Sequence, residues 1–150
     1  MEKITGGGAA PMVSGGCNDA SGGNEKNQID GGWKKMKKLK NYIQLGSKVA
    51  VYVPSTVDVD KAADTSGWVA MVSLSMSQWF GGATSTSAAG YWEDERAGLV
   101  TEAVTVVYSY TDSATLEQKI DDVLRLVHKM KDDLKQSAVS LEVNGVLYLV

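Results

Sequence analysis

Between Leu116 and Leu134 the apolar residues Leu116, Ile120, Val123, Leu124, Val127, Met130 and Leu134 recur every three or four positions, apart from one adjacent pair. Lys119, Asp121, Asp122, Arg125, Lys129, Asp132 and Asp133 fill the gaps. At about 3.6 residues per turn this draws one continuous apolar stripe along a helix. Most of the stability of such a helix comes from packing that stripe against something else. The rest of the chain must therefore supply an apolar surface about as long as the stripe.

Strands supply it. Lys48–Val53 (Lys-Val-Ala-Val-Tyr-Val) is rich in β-branched and aromatic residues and is stopped by Pro54. Leu99–Tyr110 alternates cleanly: Val100, Glu102, Val104 and Val106 lie on one face, Leu99, Thr101, Ala103, Thr105 and Val107 on the other. Ala83–Trp92 reads as a strand of small alternating residues, joined to Leu99–Tyr110 by the charged turn Glu93–Gly98. Val139–Val143 and Val146–Val150 flank Asn144-Gly145, a hairpin-turn signal. Ser55–Asp64 reads as a polar loop. Thr111, Asp112 and Ser113 offer N-caps to the long helix.

Trp68–Phe80 is ambiguous. Val69, Val72, Met76 and Phe80 follow a helix face, yet Val72, Leu74 and Met76 alternate with serines as a strand would. Its length and the Gly81-Gly82 pair behind it, placed as a helix C-cap, decide for helix. The expected order is thus β-α-β-β-α-β, an α+β, ferredoxin-like fold with an antiparallel sheet, both helices on one face and a C-terminal β-hairpin. The other sheet face would then carry Tyr, Val and Trp and need a cover, for which a second copy of the chain is the expected source.

Glycine and charge divide the chain. Ten of the sixteen glycines precede the first predicted strand. Residues 1–44 carry seven lysines against four carboxylates, a net +3, whereas the remainder carries eight basic and fourteen acidic residues, a net −6. Residues 1–44 are expected to form a disordered glycine-rich arm with a basic segment at 34–40, and 45–150 the folded domain. An acidic domain argues against a nucleic-acid face on the domain itself, so any such contact falls to Lys34, Lys35, Lys37, Lys38 and Lys40. In that stretch Trp33, Met36 and Leu39 also recur at helical spacing. No signal peptide is legible and no run of about eighteen apolar residues exists for a membrane span, which makes the cytoplasm the expected compartment.

Two patches taken together resemble small uncharacterised bacterial and phage-type proteins. They are Phe80-Gly81-Gly82-Ala83-Thr84, and Gly90-Tyr91-Trp92 followed by Gly98-Leu99-Val100-Thr101-Glu102. Val51-Tyr52-Val53-Pro54-Ser55-Thr56, Ser140–Gly145 and Gln136 fit the same likeness, which covers residues 48–150. A looser likeness, limited to the glycine-Thr-glycine-Trp-Glu pattern, links the chain to a widespread bacterial domain of unknown function with ferredoxin-like character. The resemblance implies a fold and an origin in phage or another mobile element. It implies no activity.

The chemistry-bearing residues are few. One cysteine, Cys17, and one histidine, His128, leave too few soft ligands for zinc and no Cys-His pair; no catalytic set, metal site or cofactor is expected. Glu93, Asp94 and Glu95 beside Arg96 read as a solvated turn, and Gly81-Gly82 lacks the sequence context of a phosphate loop. Trp92 and Glu102 lie on strands expected to pair, and with Thr84 and Gln136 they are the candidate lining of a polar cleft; Glu102 meeting the backbone or Arg96 competes with that reading. Three functions follow. The first is a non-enzymatic, self-associating binding or assembly protein acting on a macromolecular partner. The second is a small enzyme or ligand-binding domain using the Trp92/Glu102 cleft. The third is nucleic-acid binding through the basic arm.

Overall fold

The computed structural model describes residues 37–58 and 61–150. The compact unit is Asn41–Val150. Ahead of it the described residues form one 3₁₀ turn, Lys37–Leu39, with Lys38, Leu39 and Lys40 exposed. Residues 1–36 of the arm expected to be disordered, Trp33, Lys34, Lys35 and Met36 among them, lie outside the described residues.

The unit is α+β. Strand β1 (Ser47–Pro54) is followed by two short strands, β2 (Thr56–Val57) and β3 (Lys61–Ala62), then helix α1 (Ser66–Phe80). Next come β4 (Thr84–Asp94), β5 (Gly98–Thr111), helix α2 (Ser113–Asp133), β6 (Ser140–Val143) and β7 (Val146–Leu149). One five-stranded sheet runs in the order β4-β5-β1-β6-β7 with every pairing antiparallel. The β2–β3 pair is separate, and it replaces the polar loop expected at Ser55–Asp64.

Register explains the layers. Val51 lies opposite Val107 on one side and Leu141 on the other, so these side chains share one face. They are buried with Val49 and Val53 against Val72 and Met76 of α1 and Val123, Val127 and Met130 of α2. Both helices therefore cover the same face of the sheet. Val72, Met76 and Phe80 are the buried residues of α1, spaced four apart, whereas Leu74 is exposed. Helical spacing, not the serine alternation, describes this segment.

The ends follow local chemistry. Gly81 closes α1 in the left-handed region (φ 84°), donating its N–H to Ser77. Asp112 caps α2: its Oδ1 accepts from the Thr115 N–H at 2.8 Å and its Oδ2 from the Thr115 hydroxyl at 2.7 Å. Asn144 and Gly145 both take positive φ (52° and 82°), as a two-residue turn of the hairpin-favouring type requires. No described helix is long and apolar enough to cross a membrane.

Candidate functional site at the open sheet face

The helix-free face carries Tyr52 and Pro54 of β1, Ala88, Gly90 and Trp92 of β4, Glu102 and Val104 of β5, and Leu147 of β7. Two hollows lie at one end of it. The first, 520 Å³, is lined by Thr56, Asp58, Trp92, Asp94 and Glu102 together with Ala97, Val100 and Thr101. The second, 410 Å³, is lined by Tyr52, Pro54, Ala88, Gly90, Gln136 and Leu147, among others. Trp92 and Glu102 border both.

Hairpin register brings those two residues together. Gly90 faces Glu102 and Trp92 faces Val100, which sets Trp92 and Glu102 diagonally on the same face. Trp92 is 43% exposed and does not plug the core. Glu102 does not pair with Arg96; its Oε1 accepts from the Thr56 hydroxyl at 3.0 Å. Gln136 holds the same segment from the other side, its Nε2 donating to the Thr56 carbonyl at 2.9 Å and the Leu134 carbonyl at 3.3 Å.

Thr84 is not part of this arrangement. It lies opposite Tyr108, six residues along β4 from the Gly90–Glu102 pair, which is about 20 Å at the usual strand rise. There it borders a separate hollow with Phe80, Gly81 and Tyr110. Thr84 and Trp92 do share a sheet face, but β4 is too long for a cleft at one end to reach both.

Electrostatics in the first hollow favour a cation. Asp94 Oδ1 accepts from the backbone N–H groups of Ala97 and Arg96, both at 2.8 Å, and these bonds hold its carboxyl below the usual carboxylate range. The Lys61 ammonium, 3.0 Å from Asp58, does the same for Asp58. These two carboxylates, Asp58 already paired with Lys61, line the same hollow as Glu102 and Trp92. Asp58 and Thr56 escaped the sequence reading because they join the site across 44 and 46 residues, through a strand pair with no strong local signal.

The remaining candidates lie elsewhere. His128 is exposed on α2. Glu93 and Glu95 are exposed, Asp94 caps its own turn, and among the described residues no three His, Cys, Asp or Glu side chains form a group that could hold a metal ion. Of the arm lysines, Lys38 and Lys40 are exposed and Lys37 lies in the 3₁₀ turn. A second polar group sits mid-face: Glu142 accepts from Lys48 Nζ at 3.1 Å and from the Tyr52 hydroxyl at 3.0 Å, with Lys48 Nζ 5.4 Å from the centroid of the Tyr108 ring.

No protein-family model and no curated protein matches the chain. Among solved structures the chain is similar to a phage SAM lyase in complex with S-methyl-5'-thioadenosine. That match has 21% identity and a TM-score of 0.54, covering 75% of this chain and 95% of that one. A phage SAM lyase in its apo state also matches, at 19% identity and a TM-score of 0.49, over 73% of this chain and 94% of that one. The likeness is one of fold.

Proposed function

We propose that Asn41–Val150 is a ferredoxin-like domain, of phage or other mobile-element origin, that binds an adenosyl sulfonium compound of the SAM kind in the Trp92/Glu102 cleft and cleaves it as a lyase. The observation that carries this reading is the composition of the 520 Å³ hollow: Asp58, Asp94 and Glu102 around the exposed indole of Trp92. A sulfonium is a soft, weakly hydrated cation, attracted both to carboxylates and to an aromatic face. The likeness to a phage SAM lyase supports the fold half of the reading, and the strand order β4-β5-β1-β6 supports the ferredoxin-like topology. When the C–S bond to the sulfonium breaks, the electron pair goes to sulfur and its positive charge disappears, while the substrate's own carboxylate closes on the carbon that sulfur leaves, so the amino-acid part departs as a lactone and no water or co-reactant is needed. Carboxylates that merely attract that charge hold the ground state more than the transition state, so their removal weakens binding first.

Glu102→Gln tests this. Glutamine keeps an acceptor for the Thr56 hydroxyl, so the melting temperature should hardly move. Affinity for SAM, measured by calorimetry, should fall about tenfold or more. Incubation of the wild-type protein with SAM should release S-methyl-5'-thioadenosine, followed by chromatography. A wild-type chain that neither binds nor cleaves SAM, or a Glu102→Gln variant that binds it equally well, refutes the reading.

The assembly reading rests on a different observation. Tyr110 (51% exposed), Leu147 (55%) and Leu149 (74%) lie on the helix-free face, apolar surface that a second copy of the chain would cover. Lys48 and Glu142 neutralise each other in the middle of that face, so two copies meeting there would not repel strongly. Trp92 and Leu147 belong to both the cleft and this apolar face, so a second copy that covered the whole face would also close over the cleft.

A further inference from the structure

We propose that the outer edge of β7 pairs with β7 of a second copy of this chain, joining two five-stranded sheets into one across a twofold axis. The surface is the edge of the sheet, not its helix-free face, and the pairing requires neither the sulfonium reading nor contact through that face. β7 ends the strand order β4-β5-β1-β6-β7, so among the described residues no strand pairs with its outer side. Val139 and Val150 exchange both N–H···O bonds, at 3.1 and 3.0 Å. Such pairs alternate along an antiparallel ladder, so Tyr148 and Val146 also turn their backbone groups towards β6. The N–H and C=O groups of Leu147 and Leu149 point outward.

The side chains lack what usually guards an edge. Val146, Leu147, Tyr148 and Leu149 are all apolar or aromatic and all exposed, with no charge and no proline among them. The opposite edge, β4, differs: it opens on threonine and serine and closes on Glu93 and Asp94. Tyr148 lies opposite the core residue Leu141, on the helix side, where it lines an apolar hollow of 310 Å³ with Ile120 and Leu124 of α2. Alternate side chains of an added strand would lie beside Leu147 and Leu149 on one face and beside Tyr148 on the other.

Charge and register select a second copy as the occupant. The chain beyond residue 44 carries a net −6, so two copies approach most easily where neither is charged, and no charged side chain lies in Val146–Val150. A twofold axis through Tyr148 sets each Leu147 against Leu149 of the second copy, with their outward N–H and C=O groups meeting donor to acceptor. Leucine then faces leucine on one side of the sheet and tyrosine faces tyrosine on the other. An axis through Leu147 would instead set Leu149 against the turn residue Gly145, and a shift by one residue would set outward groups against inward ones.

The test traps the pair by disulfide formation in the full-length chain, with its one cysteine removed by Cys17→Ser. Opposed residues of a non-hydrogen-bonded pair lie about 4.5 Å apart at Cα, within disulfide range, so Tyr148→Cys should oxidise to a dimer that a reductant reverses. Val146 is as exposed as Tyr148 (53% against 50%) and on the same side of β7, but the axis sets its two copies more than about 13 Å apart. Val146→Cys should therefore cross-link at least about tenfold more slowly. Leu147→Pro removes an outward donor without breaking the β6 ladder, and added to Tyr148→Cys it should slow trapping about tenfold. Tyr110→Lys, on the helix-free face alone, should leave the trapping rate unchanged, so the two surfaces fail separately. Equal cross-linking rates at positions 146 and 148, or no dimer from either, overturn the pairing. Trapping of Tyr148→Cys that Leu147→Pro does not slow overturns it as well.

Discussion

Lys48, Glu142 and Tyr52 form a charged network in the middle of the helix-free face, and its pH behaviour can be read from its members. The hydrogen bond from Lys48 is the main cause that holds the Glu142 carboxyl below its ordinary value; burial opposes it, and the hydrogen bond from Tyr52 and the Lys48 charge add to the lowering. Its hydrogen bond to Glu142 raises the Lys48 ammonium above its ordinary value. A depressed carboxyl contributes stability that is present above its unfolded pKa and lost as the pH falls through the folded one. A raised ammonium contributes stability that is present below its unfolded pKa and lost as the pH rises through the folded one. The pair is thus fully effective across the neutral range and fails at both ends. Glu142→Gln should lower the melting temperature at neutral pH by a few degrees at most, since the pair is part-exposed. That deficit should shrink towards zero as the pH is lowered through the carboxylate range. Thermal melts of the two proteins across pH check this, and a deficit independent of pH would remove the ion pair as its cause. Sulfonium binding should share the acid limit, because Asp58 and Asp94 are also held ionised to lower pH than free carboxylates. Affinity should stay flat down to about pH 4, the ordinary aspartate range, and fall only below it.

Among the elements, α2 was legible and α1 only just. All seven residues of the α2 stripe pack in or against the core, because a long helix with one apolar face admits one orientation. Met130 is fully buried within it, and Met130→Ala should cost about 2–5 kcal/mol in a denaturant titration, whereas Leu74→Ser on the exposed side of α1 should change little. The glycine that decided for helix in α1 does sit in the left-handed region, so Gly81→Ala should cost about 1–2 kcal/mol although a Cβ there would touch nothing. The β2–β3 pair was illegible for the opposite reason. Two strands of two residues each have no periodicity to read, and their position is set from far along the chain by Gln136 and Glu102. The same limit governs the site. Trp92 and Glu102 could be paired from the sequence because a short turn fixes a hairpin's register, whereas Thr84 was misplaced because sharing a face says nothing about distance along an eleven-residue strand. Asp58 was missed because only tertiary contact carries it there.

For the molecule as a whole, the helix-free face raises the question of what covers it. The helix-covered face buries Val49, Val51, Val53, Val107 and Leu141 almost completely, while the opposite face leaves Tyr110, Leu147, Leu149 and Trp92 about half exposed or more. Water contact with that apolar surface is unfavourable by about 25 cal/mol for each Å², and self-association removes it. Because the attraction is apolar and the central charges are already paired, assembly should resist salt, unlike association driven by exposed charges. Light scattering should therefore give a mass at least twice the 16.0 kDa of one chain, at both low and high ionic strength. Tyr110→Lys combined with Leu149→Lys, at two exposed positions, should return the mass to that of one chain with little loss of helix signal. A wild-type protein that stays at the mass of one chain at high concentration would show that this face does not drive assembly in solution. A wild-type assembly that dissolves in salt would show that charge, not the apolar face, holds it together.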